Sequence, residues 1–197
     1  MNVASVAERP MRADSRLPRI LDCAARLFRQ KGYQGASIRE IVRTVGMLPG
    51  SLYCHFASKE DLLVAVYAEG VRRLRAAVER ATFGESDPWM RLEVACVAHL
   101  ETLLDGSDYA QVMLRVQPQE VPEAAPRLIL LRDGYESLFG RLVEALPLPS
   151  GKGRREVRLM LLGALNWAPN WYRPGRQSLR GIARGFVDIL RTGLVRG

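Results

Sequence analysis

A chain of 197 residues, 48% of them hydrophobic, can bury a large core and is too apolar to remain disordered. Its 29 basic and 21 acidic residues leave a formal charge of +8, which favours an anionic partner such as nucleic acid or an anionic membrane surface, unless the excess serves solubility alone. No apolar run reaches the roughly 18 residues of a membrane span, and the first 20 residues lack the apolar centre of a signal peptide.

Half of the charge excess is concentrated near the start. Residues 1–62 carry ten Lys or Arg against six acids, which points anion binding to that part. Cys23, Cys54 and Cys96 are odd in number and never spaced as C-x-x-C. They predict a reduced, cytoplasmic protein with no disulfide frame, no metal site and no cofactor.

In chain order, residues 1–15 read as a flexible basic arm. Ile20, Leu21, Ala24, Leu27 and Phe28 then recur at helical spacing. Ser15 is the expected cap of this first helix and Gly32 its expected end. Ser37-Ile38-Arg39-Glu40 reads as a capping box opening a second helix that stops at Gly46. A third, short helix over about Pro49 to His55 follows at once. Ser58-Lys59-Glu60-Asp61 caps a long fourth helix with apolar positions from Leu62 to Val78. After a break at Gly84 to Pro88, helices are predicted over about 89–105, 108–117, 123–146, 154–172 and 178–194. No strand-like alternation and no internal repeat occurs, so the predicted class is all-α. The predicted division is 16–62 as a DNA-binding unit and 63–197 as a helical ligand-binding and dimerisation unit.

Three short helices with a tight glycine turn before the third are the plan of a helix-turn-helix, whose last helix must be slender enough for the major groove. The candidate DNA face comprises Ser37, Arg39, Pro49, Gly50, Ser51, Tyr53, Cys54, His55 and Lys59. Arg39 opens the second helix within reach of a base edge. Gly50 lets the backbone come close. Tyr53, His55 and Lys59 can donate to phosphate. Blander readings stand beside these: Arg39 as a solvated arginine, Tyr53 as packing, His55 as a helix cap, Cys54 as a small neutral filler.

Residues 19–67 read RILDCAARLFRQKGYQGASIREIVRTVGMLPGSLYCHFASKEDLLVAVY. The A-A-x-L-F of the first helix, G-Y-x-G-x-S before the second and G-x-x-x-G-S-L-Y-x-H-F-x-S-K-E-x-L across the third and fourth make this run resemble the DNA-binding domain of TetR-family repressors. The resemblance implies a nine-helix homodimer, double-stranded DNA as partner, and a small-molecule effector bound in the C-terminal part. Leu48 departs from the Ser or Thr that often caps the third helix in that family. Losing such a cap costs about 0.5–2 kcal/mol, part of which Pro49 offsets by fixing φ.

Farther on, Gly163 to Gly175 reads GALNWAPNWYRPG. Aromatic walls with a few polar groups suit a ligand pocket, and equally a dimer core. The segment is similar to one in TetR-family members that respond to acyl-CoA esters or related catabolites. Trp89, His99, Leu103, Tyr109, Met113, Asn166, Trp167 and Asn170 are the candidate lining, with His99 readable also as a satisfied core histidine. Val157, Met160, Leu161, Ala164 and Leu165 form one stripe and Ile182, Phe186, Ile189 and Leu190 another, predicted to pair with a second copy. Together these features predict a repressor that an apolar effector, an acyl-CoA first, releases from a palindromic operator. A DNA-binding structural factor without an effector is the alternative. No nucleophile elbow, phosphate loop or zinc spacing suggests an enzyme.

Overall fold

The computed structural model describes residues 16–148 and 153–195, and every regular element among them is helical. Ten α-helical segments follow one another: α1 Leu17–Gly35, α2 Ile38–Val45, α3 Pro49–Tyr53, α4 Lys59–Thr82, α5 Pro88–Leu103, α6 Asp108–Arg115, α7 Ala125–Glu144, α8 Arg154–Asn166, α9 Ala168–Trp171 and α10 Leu179–Val195, with one 3-10 turn at Pro118–Glu120. The predicted arm at 1–15 and the Ser15 cap lie outside the described residues. The residue at the cap position of α1 is Arg16, whose side chain forms no capping bond.

The first three helices enclose a small core. Ile20, Ala24, Leu27 and Phe28 recur on one face of α1 and meet Ile41 and Val42 of α2 and Leu52 of α3, all buried. Cys23 donates its S–H to the Ile41 carbonyl across 3.8 Å. Gly32 ends the regular path of α1 as expected. Its φ of +73° breaks the helical path there, a conformation that suits glycine, and one further turn resumes to Gly35. Ser37 caps α2 by accepting from Glu40 N. The Glu40 carboxylate, expected to reach back to the cap, accepts instead from Lys31 Nζ at 2.5 Å. Gly46, at φ +72°, closes α2 in the left-handed conformation.

The long helix α4 is capped by Ser58, which accepts from Asp61 N at 3.0 Å. It packs against α1, α5, α6 and α7. Leu62, Leu63, Val66, Tyr67, Gly70, Val71, Leu74 and Val78 form its buried side. Each fully buried Leu or Val of this kind contributes about 1.5–3 kcal/mol. At Gly70 a Cβ would come within 2.7 Å of Met113 Sδ, so the glycine lets α6 press against the α4 backbone.

Two expectations are corrected near the C-terminus. The single helix predicted over 154–172 is two, α8 and α9, because Pro169 lacks the N–H that would continue the ladder; the count among the described residues is therefore ten rather than nine. The two stripes assigned to a partner are largely internal. Val157, Leu161, Leu165, Ile182 and Leu190 are buried within the protomer, α10 packs on α5, and Phe186 packs edge-on against Trp171 at 6.0 Å. Met160, Trp167 and Ile189 remain 60–69% exposed.

The contact at Gly70 yields a stability prediction. Gly70→Leu forces Met113 aside and lowers stability by about 1–3 kcal/mol, as overpacking does. Adding Met113→Ala recovers part of the loss, because the two sites touch. Urea denaturation of the three variants measures this; additive losses would mean that the sites do not meet.

Candidate DNA-binding face and effector cavity

The candidate DNA residues lie on or just beside α2, α3 and the start of α4. Tyr53 is 55% exposed at the end of α3. Arg39, in the first turn of α2, and Ser37 and Gly50 are exposed, and Ser51 is half-buried. Pro49 opens α3 at its first position. Cys54 is exposed and its S–H points to the Gly50 carbonyl, 3.5 Å away. His55 is half-buried, 6.4 Å from the Phe56 ring. Leu48 at the cap position of α3 stands 77% exposed beside these residues; on sequence it was read only as a missing cap.

Lys59 is half-buried. Its ammonium lies 4.4 Å over the Tyr33 ring and donates to the Gln34 carbonyl at 3.3 Å. Partial burial lowers its pKa, and neighbouring Glu60 opposes the shift. Glu60 in turn accepts from the Tyr33 hydroxyl, which holds its carboxyl below the usual range. An ammonium has three donors, so two remain for an incoming anion.

α1 is tied to α4 and α6 by a polar cluster. Tyr109 of α6 donates to Asp22 of α1 at 2.8 Å, and the Arg73 guanidinium sits 4.0 Å over the Tyr109 ring. Arg29 pairs with Asp108 at 2.9 Å and donates to the Gly106 carbonyl at 3.3 Å. Arg115 donates to the Arg29 carbonyl at 3.2 Å. Arg72 and Arg73 together depress Glu69 to about 2. Desolvation and the bond to Asp22 raise the Tyr109 phenol.

A cavity of about 630 Å³ lies in the larger part of the protein, between α4, α5, α6, α7 and the α8–α9 junction. Six of the residues predicted to line a pocket meet there: His99, Leu103, Met113, Asn166, Trp167 and Asn170. Two do not. Tyr109 turns to the other side of α6 to bond Asp22, and Trp89 is buried at the start of α5, away from the lining. Both belong to buried apolar faces, and an aromatic suits a core as well as a pocket. The sequence reading missed Val71 and Leu74 of α4, Tyr135 and Arg132 of α7, and Arg115 of α6. Arg132 pairs with Asp133 at 3.3 Å and Glu136 at 3.7 Å.

At the buried end His99 is 1% exposed. Its Nδ1 is 2.8 Å from the Tyr135 hydroxyl, and Phe139 stands edge-on to it with ring centroids 5.7 Å apart. Burial lowers its pKa to about 4. The Asn166 amide opposes that shift, without closing a hydrogen bond of proper geometry on Nε2. Cys96, one turn earlier on α5, is fully buried and its thiol is pushed up by desolvation.

Comparison with known proteins places these features. Residues 20–66 match the family described as "Bacterial regulatory proteins, tetR family", and residues 85–194 match "Tetracyclin repressor-like, C-terminal domain". The chain is 26% identical over 191 residues to the HTH-type transcriptional repressor KstR2 of Mycobacterium tuberculosis, covering 93% of this chain and 94% of that one. Among solved structures it is similar to the superantigen PfiT, with a TM-score of 0.78 and 27% identity over 89% of this chain and 96% of that one. It also shares its fold with AibR in complex with isovaleryl coenzyme A and operator DNA, with a TM-score of 0.72 and 24% identity over 89% and 97% of the two chains.

Buried, neutral His99 makes stability depend on pH. The unfolded imidazole titrates at its ordinary 6.5 and the folded one at about 4. Between these values the unfolded chain holds a proton that the folded chain refuses. The contribution is complete above pH 6.5 and is lost as pH falls toward 4. Urea midpoints of the native protein should therefore drop across pH 6.5 to 4 more steeply than those of His99→Gln. Parallel curves would mean that His99 titrates alike in both states.

Proposed function

The chain belongs to the TetR family of bacterial transcriptional regulators, and from this premise we propose that it is an effector-responsive repressor: a homodimer that binds palindromic operator DNA and lets go when a largely apolar small molecule enters the cavity. The observation that carries the reading is α4. Its first turn holds Lys59 at the candidate DNA face, and its Val71 and Leu74 wall the cavity. A ligand that prefers the non-binding arrangement shifts the population by its differential affinity, and about 5.5 kcal/mol takes a 99:1 balance to 1:99. A structural DNA-binding factor would have no use for such a cavity. Residues 16–62 form the DNA-reading unit in this proposal, and 63–197 the effector and dimer unit. Its place of action is the cytoplasm, where the operator lies.

An acyl-CoA is the first effector candidate. The cavity falls within the roughly 300–1,000 Å³ of small-molecule sites. Its buried end is apolar, with Leu103, Leu162 and Leu74 around His99, while Arg115 and Arg132 stand exposed at its rim. An acyl chain inside and an anionic head outside would suit that division. The repressor KstR2 and the AibR complex lend support as relatives of the same build.

At the DNA face Arg39 is the proposed base reader, with Gly50 admitting the groove wall and Ser37, Pro49, Ser51 and Cys54 completing the surface. Tyr53, His55 and Lys59 are proposed phosphate contacts. Leu48 adds an apolar contact of the kind that thymine methyls accept. In the dimer, Met160, Trp167 and Ile189 face the second copy, and the two readers stand about 34–36 Å apart to meet successive major grooves.

Two experiments test this reading. Gel shift and salt titration on a fragment upstream of the gene should show tight binding by the native protein. Lys59→Ala weakens it and lowers the salt slope by about one unit, as for one lost phosphate contact. Decanoyl-CoA should release the fragment; if the native protein binds no upstream DNA, the repressor reading falls. Light scattering tests the assembly. Met160→Asp with Ile189→Asp should give folded monomers, whereas Leu190→Asp, buried in the protomer, should unfold. A native monomer would end the dimer assignment.

A further inference from the structure

We propose that His99, locked by Tyr135, donates a hydrogen bond from Nε2 to a neutral carbonyl oxygen of the effector at the cavity wall. The inference rests on the cavity being the effector site and adds the chemistry that the site selects.

Four observations meet at this imidazole. It is 1% exposed and lines the cavity. Its Nδ1 is engaged with the Tyr135 hydroxyl at 2.8 Å. Its Nε2 is buried and has no hydrogen-bond partner among the described residues. Its ring is held by Tyr135, stacked at 5.8 Å, and by Phe139, edge-on at 5.7 Å. A polar atom that is buried, fixed in direction and left unpaired is costly to keep, and a ligand group is one thing that can satisfy it.

Proton inventory settles what that group must be. Neutral imidazole carries one N–H. If it sat on Nδ1 and pointed at Tyr135, the buried phenol proton would have no acceptor among the described residues. The arrangement that satisfies both groups has Tyr135 donating to Nδ1, which leaves the ring proton on Nε2 of a ring that lines the cavity. The site therefore offers a donor. A carbonyl oxygen needs one donor and nothing more. An alcohol brings a proton that needs an acceptor of its own. A carboxylate would bury a full charge against an uncharged ring and apolar walls, where burial alone disfavours ions. The selected class is an apolar molecule with a ketone, ester or thioester carbonyl at that depth. Asn166 stands at the cavity wall beside this ring, where its amide favours a proton on the imidazole.

The test uses two probes that differ at one position: decanoyl-CoA, a thioester, and S-decyl-CoA, the thioether with CH₂ in place of the carbonyl. Calorimetric titration of the full-length native protein should favour decanoyl-CoA by about tenfold, the value of one ordinary hydrogen bond. His99→Leu should bind both probes alike, with S-decyl-CoA affinity retained. His99→Gln, which keeps an N–H donor, should retain a preference. A readout independent of variants is the infrared carbonyl stretch of 1-¹³C-decanoyl-CoA bound to the native protein. It should lie below that of a decanoyl thioester in alkane. Equal affinity for the two probes, a preference that survives His99→Leu, or a stretch at the alkane position overturns the carbonyl assignment while leaving the cavity as the effector site. Failure of both probes to bind overturns the effector reading itself, and this inference with it.

Discussion

The structure depends on one helix being shared. α4 supplies Leu62, Leu63 and Val66 to the buried core near its N-terminal end, and Val71 and Leu74 to the cavity wall. A continuous helix is stiff over its 24 residues, so displacement at its cavity end is carried to Lys59 at the other. This rigidity makes the cap at Ser58 consequential. The cap fixes where the helix starts, and hence where Lys59 and Glu60 sit against Tyr33. The Asp61–Arg127 ion pair at 2.5 Å fastens that same first turn to α7, which carries Tyr135 into the cavity. The first turn of the helix is thus held by an element that lines the pocket.

A second route runs through α6. Its Met113 enters the cavity against Gly70, while its Tyr109 and Asp108 bond Asp22 and Arg29 of α1. The two faces of this eight-residue helix therefore touch the cavity and α1. The α1 contacts are polar and partly exposed. Such bonds gain less on formation than apolar packing, so they can be exchanged without unfolding the core. An element poised between two arrangements is what coupling between sites requires. α4 packs by buried aliphatic side chains and resists local change; α6 joins α1 by exchangeable polar contacts.

Local signals made much of this legible. Capping at Ser37 and Ser58, glycine at positive φ and the spacing of apolar residues are properties of neighbouring residues, and they located α1 to α5. Pocket residues close in sequence were also found together, because His99 and Leu103 lie one turn apart on α5 and Asn166, Trp167 and Asn170 surround one helix break. Tyr135 and Arg132 carried no such mark. Their place depends on α7 packing against α4 and α5, which no local pattern encodes. Tyr109 and Trp89 failed for the same reason: an aromatic side chain satisfies a cavity wall, a core or an inter-helix bond equally. The partners of Lys59, Tyr33 and Gln34, lie a full helix-turn-helix away in sequence, so its partial burial left no local sign.

The C-terminal helices show the limit of reading an apolar stripe as an interface. On α10, Ile182, Ala183, Val187 and Leu190 are buried against the protomer's own helices, while Ile189, adjacent to Leu190, is 69% exposed. Adjacent positions on a helix point about 100° apart, so the apolar surface of α10 is wider than one contact can cover. A helix that meets only its own core needs one apolar stripe backed by polar residues. α8 repeats the pattern, with Leu161 and Leu165 buried and Met160 outward. Gly163 and Gly185 stand beside these outward residues, and a Cβ at either would meet open space within the protomer. Neither glycine is required by the chain's own packing, whereas close approach of a second backbone would favour both. The surplus width of the two stripes, rather than their hydrophobicity, is the feature that argues for a partner.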